Sequence, residues 1–152
     1  MQKKVDNKIY LDVCVLCRPF DDQQSIRIRL ETDAIYMILS KIHNRELYAV
    51  KSPVHDIELS AISNDLEKEK VLALISTFDS VSKIDIDKVR CRADALSCLG
   101  FGVADAAHLA YAENSAATFI TCDDKLLRKS KKENMHISTY NPIDFVIKKD
   151  LK

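Results

Sequence analysis

Glycine is nearly missing from this chain. Gly100 and Gly102 are the only two in 152 residues, and neither opens a glycine-rich loop after a strand, which argues against dinucleotide and P-loop chemistry. Net charge is missing as well, since Lys and Arg together number 23 and Asp and Glu 23. No global field would draw in a polyanion, so any nucleic-acid contact has to come from local patches. The opening MQKKVDNK is polar and no apolar run is long enough for a signal peptide or a membrane span. The expectation is a soluble, cytoplasmic protein with no membrane partner.

Metal motifs with fixed spacing are also lacking. His43, His55, His108 and His136 are scattered without the helical His-Glu-x-x-His pattern, so spacing gives no support to a histidine-based metal site. Of the five cysteines only Cys14 and Cys17 form a Cys-x-x-Cys pair, and no second pair exists to complete a four-ligand zinc site. Within a strand, residues three apart point to opposite faces, so these two read as small buried residues and all five as free thiols.

What is present is material for a core. With 152 residues, 47% of them hydrophobic, and no linker, repeat or low-complexity segment, the expectation is a single domain over residues 1–152. Strand-like runs alternate with helical patterns: a strand from Ile9 to Leu16, a helix through Ile28 to Ile42, and a strand from Leu47 to Val50. A helix follows Ser52-Pro53 with Val54, Ile57, Ala61 and Ile62 on its inner stripe, and another starts at Asn64, where Asn64 and Glu67 have capping-box spacing. Ser82 to Ile86 reads as a short strand, and Asp87 as the cap of a helix that ends at Gly100. VADAAHLAYA, apolar nearly all round, reads as a buried helix leading to the strand TFIT; a short basic helix, an extended piece near His136 to Tyr140 and a segment from Pro142 follow. This rhythm is that of an α/β fold, a three-layer α/β/α sandwich with a mainly parallel central sheet.

Against that background four acids are out of place. Asp12 interrupts the first apolar run, KIYLDVCVLC, where an unpaired charge would be strongly unfavourable. Glu58 falls within the stripe of its helix, Asp105 lies in the first turn of the apolar helix, and Asp123 follows the strand TFIT. In open α/β sheets the functional crevice lies beyond the carboxyl ends of the strands, which is where Asp12 and Asp123 stand. Four carboxylates converging there repel one another unless cations neutralise them, and a hard divalent ion such as Mg²⁺ or Mn²⁺ meets that need. Taken singly, Asp105 could favour a helix N-terminus, Asp123 could cap the next helix and Glu58 could pair with a lysine.

The ordered set YLDVCVL, Glu58 in SPVHDIEL, Asp105 in GVADAAHLAYA, Asp123 in FITCDDKLL and the closing YNPIDFV resembles the PIN domain of metal-dependent ribonucleases, a family that includes the toxins of many bacterial toxin–antitoxin pairs. The resemblance covers most of the chain, including the eighteen-residue interval from Asp105 to Asp123. It implies a PIN-like fold and hydrolysis of RNA phosphodiesters by water activated on Mg²⁺ or Mn²⁺ held by Asp12, Glu58, Asp105 and Asp123. It also implies an antitoxin protein and a homodimer as partners. Thr121 could orient a carboxylate or a water. Glu31, on the inward stripe of Ile28, Ile35 and Ile38, is an accessory residue or the partner of a buried cation. Lys125 and Arg128, in a run of cations after Asp123, and Arg18 after the first strand are candidates for RNA contact. Two rivals remain: a PIN-like binding scaffold without activity, suggested by Val13 and Cys14 where the family has small polar residues, and a phosphatase of the haloacid dehalogenase type. The latter wants a second aspartate where Cys14 stands.

Overall fold

The computed structural model describes residues 7–80 and 83–151. Strand β1 (Lys8–Leu11) is shorter than the apolar run that contains it, and helix α1 (Val13–Cys17) follows after Asp12 alone. The ladder explains the difference. Leu11 pairs with Ile120, and the Asp12 N–H donates to the Ile120 carbonyl at 3.0 Å, after which no neighbouring strand remains. The backbone therefore turns on itself, with the Asp12 carbonyl accepting from Val15 N–H at 2.9 Å. Cys14 and Cys17 are consequently three apart on a helix and share a side, contrary to the strand geometry expected for them, and both are half-buried.

The chain continues through α2 (Ile26–His43), β2 (Tyr48–Lys51), α3 (Pro53–Ser60) and α4 (Asp65–Ile75), the last capped by Asn64 accepting from Glu67 N–H at 3.0 Å. Strand β3 is Asp79–Ser80. Of the strand expected at Ser82 to Ile86, Ser82 lies outside the described residues, 83–85 carry no strand, and Ile86 opens helix α5 (Ile86–Cys98). Its cap is Asp85 and not Asp87: only the extended residue before the first turn can swing its oxygen back, here to Lys88 N–H at 3.1 Å. Then come α6 (Val103–Asn114), β4 (Thr118–Ile120), α7 (Asp124–Lys132), β5 (Thr139–Tyr140) and α8 (Pro142–Lys148). Between α5 and α6, Gly100 turns the chain at φ 96°, and a Cβ there would meet Lys129 Nζ at 2.6 Å.

The five strands form one sheet in the order β3-β2-β1-β4-β5, every pair parallel. Alternation along the strands sends side chains to two separate cores. Ile9, Leu11, Ala49 and Ile120 pack with Leu16, Ile35, Ile38, Val71, Ile75 and Phe145 from α1, α2, α4 and α8. Tyr10, Val50 and Phe119 pack with Val89, Leu96, Ala106, Leu109 and Leu126 from α5, α6 and α7. The result is a three-layer α/β/α sandwich, buried on both faces as a parallel sheet requires. From central β1 the chain first adds strands on one side and later, through β4, on the other. The crevice between the carboxyl ends of β1 and β4 is thus a topological switch point, and Asp12 and Thr121 sit at its two lips.

Candidate metal centre

Because β1 ends at Leu11, Asp12 projects from a strand end into the crevice while only 6% exposed. Its Oδ2 accepts from the Thr121 hydroxyl at 2.8 Å and from the Cys14 thiol at 3.4 Å. Its Oδ1 lies 3.9 Å from His108 Nε2 and accepts no hydrogen bond among the described residues. Burial pushes the Asp12 carboxyl above its ordinary range; His108 opposes this most, then the Thr121 and Cys14 bonds, while Glu58 adds to it. Among the described residues no lysine or arginine pairs with Asp12, Glu58 or Asp105.

Glu58 reaches the same crevice from α3. The stripe expected there is displaced, because Ile57 is 69% exposed and Ala61 is exposed, whereas Val54, His55 and Leu59 are buried. Glu58 therefore stands at the margin of the buried face and not within it, half-buried, with Oε1 against Nε2 of His108. That bond holds its carboxyl below the usual range, against the opposing effect of burial.

His108 is the residue that sequence reasoning missed. Fully buried on α6, it presents Nε2 to Glu58 and Nδ1 to the Tyr10 hydroxyl. The Tyr10 hydroxyl also meets Ser52 Oγ at 2.6 Å, and Ser52 Oγ in turn accepts from Val54 N–H. Ser52, Tyr10, His108 and Glu58 form a continuous chain of hydrogen bonds from the start of α3 to the crevice. Burial keeps Tyr10 a neutral phenol by raising its pKa well above the ordinary value. His55 steadies the chain from the side: its ring stacks on Tyr10 at 4.6 Å, Nδ1 accepts from Ser52 N–H, and Nε2–H donates to the Leu11 carbonyl at 2.7 Å. Burial lowers its pKa to about 4, so it is neutral at physiological pH. The available signal for His108 was its spacing, three residues after Asp105 on one helix, which places both toward the same side.

Asp105, half-buried in the first turn of α6, has its carboxyl pushed up to about 6, first by burial and then by the charges of Asp12 and Asp123. Asp123 is exposed and caps α7, its Oδ1 accepting from Lys125 and Leu126 N–H at 3.0 and 3.1 Å. Of the four expected acids, the structure brings Asp12 and Glu58 together, with His108 as third member. Asp105 and Asp123 stand at the rim. One donor atom from each of Asp12, Glu58 and His108 lies within 4.8 Å of the other two, so this group could hold a metal ion. Thr121 both donates to Asp12 and accepts from Asp123 N–H at 3.0 Å, which fixes the two acids relative to each other.

Glu31 lies apart from this group. Fully buried at the ends of β5 and α2, it accepts from Asn141 Nδ2 at 2.6 Å, and Oε1 faces the Nε of Arg18 and of Arg27, each at 3.5 Å. Arg18 also pairs with Asp21, and Arg27 makes two bonds to Asp124 at 2.7 and 2.6 Å. Lys125 and Arg128 are exposed on α7.

No protein-family model matches the chain, and no curated protein matches it. Among solved structures it is similar to FitAcB from Neisseria gonorrhoeae, with a TM-score of 0.53 at 16% identity over 88% of this chain and 97% of that one. It is also similar to PAE2754 from Pyrobaculum aerophilum, with a TM-score of 0.51 at 14% identity over 93% and 96% of the two chains. At such identities the likeness is one of fold alone, that of the three-layer α/β/α sandwich described above.

Proposed function

We propose that this protein is a metal-dependent ribonuclease that hydrolyses RNA phosphodiesters at the crevice between β1 and β4. The observation that carries this reading is Asp12: a buried carboxylate at the end of the central strand, clustered with Glu58 and His108 and facing no lysine or arginine among the described residues. The donor set fits a divalent ion, since a free oxygen of Asp12, a half-buried glutamate and the rim carboxyl of Asp105 are acids that repel one another and gain from a shared cation. Asp12, Glu58 and Asp105 would hold Mg²⁺ or Mn²⁺, with Asp123 at the rim. Held by these residues, such an ion would supply water whose lowered pKa makes hydroxide available at neutral pH, and would offset the negative charge of the transition state.

The protein's own groups prepare that site. Thr121 and Cys14 hold Oδ2 of Asp12, leaving Oδ1 without a hydrogen bond 3.9 Å from His108 Nε2, and His108 holds Glu58. The thiol of Cys14 stands in for the polar side chain whose absence favoured a scaffold without activity. Lys125 and Arg128, exposed on the helix that Asp123 caps, would contribute attraction to an RNA backbone without base readout. The same reading takes an antitoxin protein and a second copy of the chain as partners, both carried by the PIN resemblance. Among the described residues no helix is long and apolar enough to cross a membrane.

The test is cleavage of a mixed RNA pool by pure protein with Mg²⁺, with Mn²⁺ and with chelator, beside Asp12→Asn. Cleavage that needs the ion and falls in the variant by more than the about 10–100-fold that an outer partner costs supports the reading. Cleavage indifferent to both ion and variant removes it, as does hydrolysis of small phosphomonoesters with RNA left intact.

A further inference from the structure

We propose that His108 is itself a ligand of this centre and that the resident ion is therefore a first-row transition metal, Mn²⁺ serving as probe, in preference to Mg²⁺. The inference rests on the centre described above but not on RNA being its substrate. Three observations carry it. First, the atom of His108 that faces the crevice is Nε2, placed between two carboxylates: against Oε1 of Glu58 and 3.9 Å from the free Oδ1 of Asp12. An ion taking one oxygen from each acid has that nitrogen within reach, because all three donor atoms lie within 4.8 Å of one another.

Second, the far side of the ring is built like the support of a ligating histidine. Such a ring keeps its other nitrogen hydrogen-bonded, which fixes its tautomer and orientation. Here Nδ1 meets the Tyr10 hydroxyl, which meets the Ser52 hydroxyl, and both hydroxyls can donate or accept. In one direction the chain runs Ser52 to Tyr10 to Nδ1 and leaves Nε2–H donating to Glu58. Reversed, Nδ1–H donates to Tyr10 and Tyr10 to Ser52, and Nε2 offers its lone pair to the crevice. The two arrangements are the two tautomers of the ring, which exchange one N–H for the other.

Third, the arrangement is fully buried: Tyr10 and His108 are 0% exposed and Ser52 is 4% exposed, so water does not compete for these bonds. Imidazole nitrogen is a poor partner for Mg²⁺, which favours oxygen and retains its waters, and a good one for the transition ions. Replacing one oxygen donor by nitrogen thus shifts preference along the first row without adding charge.

The experiment is calorimetric titration of the whole protein with Mn²⁺ and with Mg²⁺, together with pulsed electron paramagnetic resonance of the Mn²⁺ complex made with ¹⁵N-histidine and with natural histidine. The expected result is binding of Mn²⁺ at least about tenfold tighter than of Mg²⁺, and a nitrogen modulation that changes with the isotope. His108→Gln should abolish the modulation and remove most of the preference. Tyr10→Phe, which leaves Nδ1–H without its acceptor, should weaken Mn²⁺ by about 10–100-fold and keep the modulation. Mn²⁺ bound to the unaltered protein without histidine modulation overturns the proposal even if every variant fails to fold. A preference unchanged in His108→Gln overturns it as well. Protein that shows the modulation yet leaves RNA uncut keeps the proposal and removes the nuclease reading, so the two fail separately.

Discussion

Two carboxylates lie buried at the carboxyl ends of the same sheet, and they are treated in opposite ways. Glu31 is fully enclosed but faces two guanidinium groups, Arg18 and Arg27, and takes a hydrogen bond from Asn141. Asp12 is nearly as enclosed, yet its polar neighbours are a hydroxyl, a thiol, a histidine and a second acid. A buried charge has to be compensated by something. Around Glu31 the protein supplies the compensation itself, and the pairing runs on through Arg27 to Asp124, tying α2 to the start of α7. Around Asp12 no lysine or arginine among the described residues supplies it, and the proposed ion would. Burial alone therefore does not mark a functional acid; the charge of what surrounds it does.

The comparison breaks most sharply in metal linkage. A divalent ion that binds only the folded protein stabilises it by about 2.7 kcal/mol at a hundred times its dissociation constant. The parent should show that gain across a Mn²⁺ series in melting experiments. Asp12→Asn should keep the fold, since the amide still accepts from Thr121, and show none of the gain. A parent whose melting point ignores Mn²⁺ at matched ionic strength would make Asp12 a buried partner of Thr121 and no more.

Glu31→Gln should show the reverse pattern. Removing the acid leaves Arg18 and Arg27 facing a neutral amide, and breaking a fully buried pair costs about 3–5 kcal/mol. Arg27 is 52% and Arg18 20% exposed, so water screens part of the loss and about 1–3 kcal/mol is expected in urea unfolding. The Mn²⁺ titration should not move. Weakened Mn²⁺ binding with unaltered stability would place Glu31 in the centre and cancel the contrast with Asp12.

The contrast also marks where sequence reading reaches and where it stops. Asp12 was legible because an acid inside an apolar run has no local explanation, and the inward position of Glu31 because helix periodicity places it with Ile35 and Ile38. What each acid faces is set by distant parts of the chain, Arg18 and Asn141 in one case and Thr121 and His108 in the other. No local pattern encodes such pairings. Glu58 was reached through a stripe that the structure displaces by about one residue, since a short helix bears too few positions to fix its rotation. His108 escaped because it sits among alanines and leucines in a helix whose burial was read as packing alone. The end of β1 was overestimated because apolar content continues into α1 while the neighbouring strand does not.

The smallest effect tests whether the rim belongs to the same uncompensated group. Asp105 has its carboxyl raised to about 6 from an ordinary value of 3.8, by burial and by Asp12 and Asp123. A raised acid favours the fold while protonated. Below about pH 4 folded and unfolded chains both carry the proton and stability is at its full value; between about pH 4 and pH 6 the unfolded chain releases it first and stability falls; above that the loss is constant. Two units would amount to about 3 kcal/mol, but Asp105 is only half-buried, so screening reduces the expected loss to about 1 kcal/mol. Asp105→Asn, having nothing to titrate, should match the parent near pH 4 and melt above it from pH 6 upward, both measured in chelator. Added Mn²⁺ should close or reverse the gap at pH 7, because the parent gains more from an ion that its third carboxyl, Asp105, helps to hold. Curves that stay parallel from pH 4 to pH 8 would mean that neither burial nor neighbouring charge raises the Asp105 carboxyl, and the uncompensated group would shrink to Asp12, Glu58 and His108.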